Sequence, residues 1–75
     1  MRIFVRDYVH KTLSPIRVSV FEEPRGFLVT EDRQGTATTV ATLGLYPSRD
    51  KAILRAEERG VQLLGQRYRP ATPAA

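Results

Sequence analysis

Lys51, Arg55 and Arg59 recur every four residues, the spacing that stacks side chains along one side of an α-helix. A row of cations so placed can lie along the phosphates of a nucleic acid, and Arg offers phosphate a planar fork of donors. The same row also reads as an ordinary solvated helix face, with Glu58 offsetting Arg55. It lacks the Asn, Gln and Arg cluster that a groove-reading helix carries near its start, so the contact it predicts is to phosphate rather than to bases. A second group is Arg67, Tyr68 and Arg69. A Tyr between two Arg can stack on a base or a ribose while the cations hold phosphate. The alternative is that Tyr68 packs back on the sheet. Arg25 and Arg33 sit in turn sequences, where they can join a basic patch or simply be solvated.

Other chemistry finds little support. His10 is the one His, and Asp7, three residues before it, falls on the opposite side of an extended strand, so the two form no ready dyad. Ser14, Ser19 and Ser48 have no evident base, and no Gly-rich phosphate loop has the required spacing. His10 with Glu22 and Glu23 is a weak metal set. The expectation is a non-enzyme without catalytic residues, metal or cofactor.

These residues need a scaffold, and the chain sets its limits. Seventy-five residues make one domain with a thin core, and with no Cys there is no disulfide framework to brace it. No apolar run reaches signal-peptide or membrane-spanning length. A cytoplasmic protein is expected, and the initial Met suggests a complete chain. The formal charge is +4, and ten of the twelve cations are Arg. An Arg-dominated excess invites a nucleic-acid partner; a codon bias gives the same composition, and eight acids are interspersed.

Apolar groups among charges over residues 2–10 predict a strand. Residues 16–21, "IRVSVF", alternate with a period of two and predict a half-buried strand. "EEPRG" is a turn, with Pro24 set for its second position and Gly26 for a left-handed conformation. Residues 27–31 return as the partner strand, without deciding whether Phe27 or Leu28 faces inward, and "DRQG" turns into a β-branched strand over 36–45. Ser48 predicts a helix N-cap and Asp50 suits the first turn. The helix is expected over about 49–64, with Ala52, Ile53, Ala56, Gly60, Leu63 and Leu64 toward the core. Gly60 in that stripe implies close approach to the sheet; the alternative is that the helix breaks there. Gly65 is the expected cap, and Pro70 the stop.

The order of these parts resembles the WGR domain: strands, a turn with Arg33 and Gly35, a Thr-rich strand, Tyr46 and Ser48, a helix with Ala52, then Gly65 and Tyr68. The resemblance spans about residues 15–69 and implies an antiparallel sheet with one packed helix and a nucleic-acid-associated role. The namesake Trp-Gly-Arg tripeptide is absent; Glu31-Asp32-Arg33 takes its approximate place, so Arg33 is the one residue that carries over.

The sequence thus predicts a single α+β domain over residues 1–69, a three- to four-stranded antiparallel meander covered on one face by one C-terminal helix, followed by a disordered tail over 70–75. The expected function is a small basic nucleic-acid-binding or DNA-associated accessory protein acting through Arg33, Lys51, Arg55, Arg59, Arg67, Tyr68 and Arg69. The alternative is a protein-interaction module, a homodimer paired through a sheet edge or face being one form of it, for which the Thr-rich stretch 36–42 is a candidate edge.

Overall fold

The computed structural model describes residues 1–35 and 39–71. Four eight-residue strands, β1 (Arg2–Val9), β2 (Ile16–Glu23), β3 (Gly26–Arg33) and β4 (Thr39–Tyr46), run as an antiparallel meander. A helix, α1 (Arg49–Gly65), follows, and a two-residue strand, β5 (Arg69–Pro70), returns to pair with β1. The sheet order is β4-β3-β2-β1-β5. The fold is therefore the expected α+β sheet with one helix packed on it, extended by a fifth strand. Residues 36–38 and 72–75, parts of the expected third meander strand and of the tail, lie outside the described residues.

The hairpins form where turn chemistry allows. Pro24 and Arg25 make a two-residue turn between the paired Glu23 and Gly26. Gly26 has φ 143°, and a Cβ there would come within 2.6 Å of the Tyr46 carbonyl oxygen, so the site suits glycine twice over. In β4 an extra residue at Leu43 breaks the register opposite Val29 and Thr30, a bulge that increases the local twist.

Register divides the sheet into two faces. Tyr8 pairs with Ile16, Val18 with Glu31, and Val20 with both Phe4 and Val29, and all of these lie under the helix. Phe27, opposite Glu22 and Tyr46, joins this side, while Leu28, opposite Phe21 and Leu45, points to the other. Ile16, Val18, Val20 and Val29 are almost fully buried with Ala52, Ala56 and Leu63 of α1. Each of the buried Ile, Val and Leu side chains contributes about 1.5–3 kcal/mol relative to exposure. The opposite face has no helix and carries Val5, Ser19, Phe21, Leu28 and Thr30, with Asp7, Arg17 and Asp32 toward one end. There Arg17 Nε donates to Asp7 Oδ1 at 2.7 Å, and the hydrogen bond and charge of Asp7, then the charge of Asp32, raise the guanidinium above its ordinary range.

Ser48 caps α1 as predicted: its backbone is extended and its Oγ accepts from the Lys51 N–H at 3.1 Å. Ala52, Ala56, Gly60 and Leu63 form the buried stripe. Ile53 is half-buried and Leu64 is 48 % exposed, so the core stripe is narrower than predicted. Small residues let the helix sit low. A Cβ on Gly60 would run into the Tyr8 hydroxyl and lie 3.1 Å from its Cζ, which is the close approach that this glycine implied.

The C-terminus differs from expectation. Gly65 remains helical with open space around its Cα, and Gln66 is the cap. Arg67 takes the left-handed conformation, φ 71°. Its N–H donates to the Leu64 carbonyl at 3.2 Å and the Tyr68 N–H to the Leu63 carbonyl at 3.0 Å, the paired bonds of a Schellman ending. Leu63 and Tyr68 are both buried, which is the apolar contact this motif uses to reverse the chain. Pro70 consequently lies in β5 rather than in a loose tail: it pairs with Tyr8, and the Ala71 N–H donates to the Asp7 carbonyl at 2.8 Å.

Candidate nucleic-acid interface

The Schellman turn decides what "RYR" presents. Tyr68 turns inward, is 3 % exposed, and donates from Oη to the Ser14 carbonyl oxygen at 3.0 Å. Its ring is walled in by the core, so the stacking role expected for it is corrected: Tyr68 is a packing residue. Arg67 and Arg69, on either side, are exposed. Pairing of Arg69 with Val9 then sets both beside the turn that leaves β1.

That turn is organised by His10. Its ring lies 4.9 Å from the Tyr68 ring, tilted by 57°. Its Nδ1 accepts from the backbone N–H groups of Thr12 and Leu13, each at 3.1 Å. Two backbone donors on Nδ1 require a lone pair there, so in the neutral ring the proton resides on Nε2. Lys11 and Thr12 are thereby carried toward Arg67 and Arg69. Together these residues and His10 line a cleft of about 320 Å³.

Among the described residues the lining holds three formal cations, one hydroxyl and one imidazole, and no carboxylate. The nearest acid along β1, Asp7, faces the other side of the sheet and is engaged by Arg17. A concave site with this donor set suits a tetrahedral oxyanion, and its volume leaves room for a sugar or base attached to it.

The other predicted residues lie elsewhere. Lys51 and Arg55 border a separate hollow of about 330 Å³ with Tyr46, Leu54 and Glu58, at the N-terminal half of α1. At 1.5 Å per residue, Arg55 and Lys51 lie about 15 and 21 Å along the axis from the helix C-terminus, roughly two Debye lengths or more at physiological salt, so the two groups do not act as one surface. Arg59 leaves the row altogether. Its Nε donates to Glu31 Oε1 and its Nη2 to Oε2 at 3.3 Å, in a forked pair whose side chains are 16 % and 12 % exposed. A guanidinium so held is a strut between α1 and β3, not a free phosphate ligand, and the predicted Lys51–Arg55–Arg59 stripe ends at Arg55. Arg33 stands exposed at the end of β3, opposite Ile16 and Thr39.

His10, Lys11 and Thr12 were not anticipated. They lie 55 or more positions before Arg67, and the β1–β5 pairing, formed by a two-residue strand containing proline, is what joins them. Compared with protein-family models, with curated proteins and with solved structures, the chain matches none.

Proposed function

We propose that this protein is a non-catalytic nucleic-acid-binding protein that takes a backbone phosphate into the cleft formed by His10, Lys11, Thr12, Arg67 and Arg69. The observation that carries the reading is the lining itself: three cations border a concave site that holds no carboxylate among the described residues. Arg67 adds weight. Its position in the Schellman ending is one that glycine fills with less strain, and a non-glycine residue held there costs about 1 kcal/mol. A long cation kept at a strained corner of a binding cleft is the pattern of a residue retained for contact rather than for folding. Lys11 approaches from the turn after β1 and Arg69 from β5, so the phosphate would sit between that turn, β5 and the helix end. Resemblance in element order to the WGR domain points to the same class of partner, although Arg33, the residue it carries over, lies outside this cleft.

The test is a fluorescence titration of labelled duplex and single-stranded oligonucleotides across a salt series. Log affinity falls against log salt with a slope of about −0.9 per phosphate contact on duplex and −0.7 on single strands. Arg69→Ala and Lys11→Ala each flatten the slope by about one contact. Silence of the folded protein at low salt, or slopes that ignore both changes, overturns the reading.

A further inference from the structure

The two edges of the sheet are treated differently. On one side β5 covers part of β1, and its Pro70 has no N–H to offer. On the other side β4 is the last strand, and among the described residues nothing pairs with its outer edge. Its sequence, "TVATLGLY", is eight residues without a charge or a proline. It therefore lacks the lysines, prolines and brevity by which open edges are ordinarily blunted; the one such device it carries is the bulge at Leu43, which leaves Thr39–Thr42 in regular register.

From this edge we infer that the protein self-associates: β4 of one copy pairs antiparallel with β4 of a second about a two-fold axis, giving one continuous ten-stranded sheet. Three observations favour a second copy over a foreign strand. An uncharged strand meets its own image without the repulsion that a chain of net charge +4 otherwise brings to self-association. Exposed apolar side chains flank the edge on both faces, Val40 at 62 % and Leu45 at 44 % below and Leu54 of α1 at 58 % above, so the same flanks close on each other when the strands join. Finally, Lys51, Arg55 and Glu58 stand on the helix flank beside Tyr46, and none of the three has an ion-pair partner among the described residues. A two-fold axis passing between Arg55 and Glu58 places the cation of one copy toward the carboxylate of the other, the self-complementarity that a symmetric interface requires.

Sedimentation equilibrium of the full chain tests this. The mass should rise with concentration from 8.5 kDa toward twice that value. Thr42→Lys places a charge mid-edge at an exposed position and Leu54→Lys places one on the flank without touching the sheet; each should raise the dimer dissociation constant by at least about tenfold. Far-ultraviolet circular dichroism shows that each variant is folded, and Leu54→Lys, on an exposed helix face, keeps the test open if Thr42→Lys is not. A strict monomer at millimolar concentration overturns the inference. So does a dimer indifferent to both changes, or one abolished instead by Val5→Lys, which would put the contact on the open sheet face.

Discussion

The hydroxyl of Tyr68 donates to the carbonyl oxygen of Ser14 across fifty-four residues of sequence at 3.0 Å. That bond pins the end of α1 to the loop before β2, and with it the two arginines that flank Tyr68. Tyr68→Phe keeps the ring and loses the bond, and should cost about 0.5–1.5 kcal/mol of stability in a denaturant titration. Because the ring is buried and Phe retains it, oligonucleotide affinity at low salt should be unchanged; a large loss with stability intact would mean that the hydroxyl itself contacts the nucleic acid.

Gly60 and Tyr8 occupy space that a methyl group cannot share. Gly60→Ala gains helix propensity of about 1 kcal/mol but forces the Tyr8 ring aside, and strain of this kind typically costs 1–3 kcal/mol. Net destabilisation is expected. The double change with Tyr8→Phe, which removes the clashing oxygen, should recover part of it, and the coupling is measured by a double-mutant cycle.

The Arg59–Glu31 pair is structural. Arg59→Ala leaves a largely buried carboxylate without its partner and should cost about 1–3 kcal/mol, while leaving the salt dependence of nucleic-acid binding in place. Lys51→Ala with Arg55→Ala should likewise leave the slope within error. A slope flattened by either variant would return the site to the helix face.

Ser19 buries its Oγ on the open face of the sheet with no hydrogen-bond partner among the described residues, beside Val5 and Thr30. Removing an unsatisfied buried hydroxyl relieves its desolvation, so Ser19→Ala should be neutral to stabilising by about 1 kcal/mol in thermal or chemical melts. A clear loss of stability would mean that the hydroxyl has a partner.

Local patterns carried most of the architecture. Alternation in residues 16–21, the Pro24–Gly26 turn, the Ser48 cap and the small-residue stripe of α1 are each fixed by near neighbours, and the structure places them as read. Relations across long separations were not legible. Arg59 reads as part of a cationic row until β3 brings Glu31 against it, twenty-eight positions away in sequence. Gly65 looks like the helix cap because glycine relieves left-handed strain, yet the chain puts that strain on Arg67, where Tyr68 can then reach the core. The cleft depends on β5, whose two residues are too short for any periodicity and include a proline that argues against a strand. Without β5, His10 and Lys11 are just a turn after β1.

If both proposals hold, the dimer has two clefts at opposite ends of one sheet. Seven strand spacings of about 4.8 Å between the two β1 strands set them on the order of 35 Å apart, before twist. Duplexes long enough to span this distance should bind more tightly than short ones, by an avidity that Leu54→Lys removes. Equal affinity for short and long duplexes, measured above the dimer dissociation constant, would show that the clefts act singly.

Arg67→Gly gives the most direct test of the cleft. Glycine suits φ 71° better than Arg, so the variant should melt at a higher temperature, by the equivalent of about 1 kcal/mol. The same change removes a guanidinium from the cleft, so oligonucleotide affinity should fall at every salt concentration, with the slope flatter by about one phosphate contact. Stability and binding must then move in opposite directions, which no general loss of folding can imitate. A variant that is more stable and binds as the unchanged protein does, with the same slope, would contradict the account.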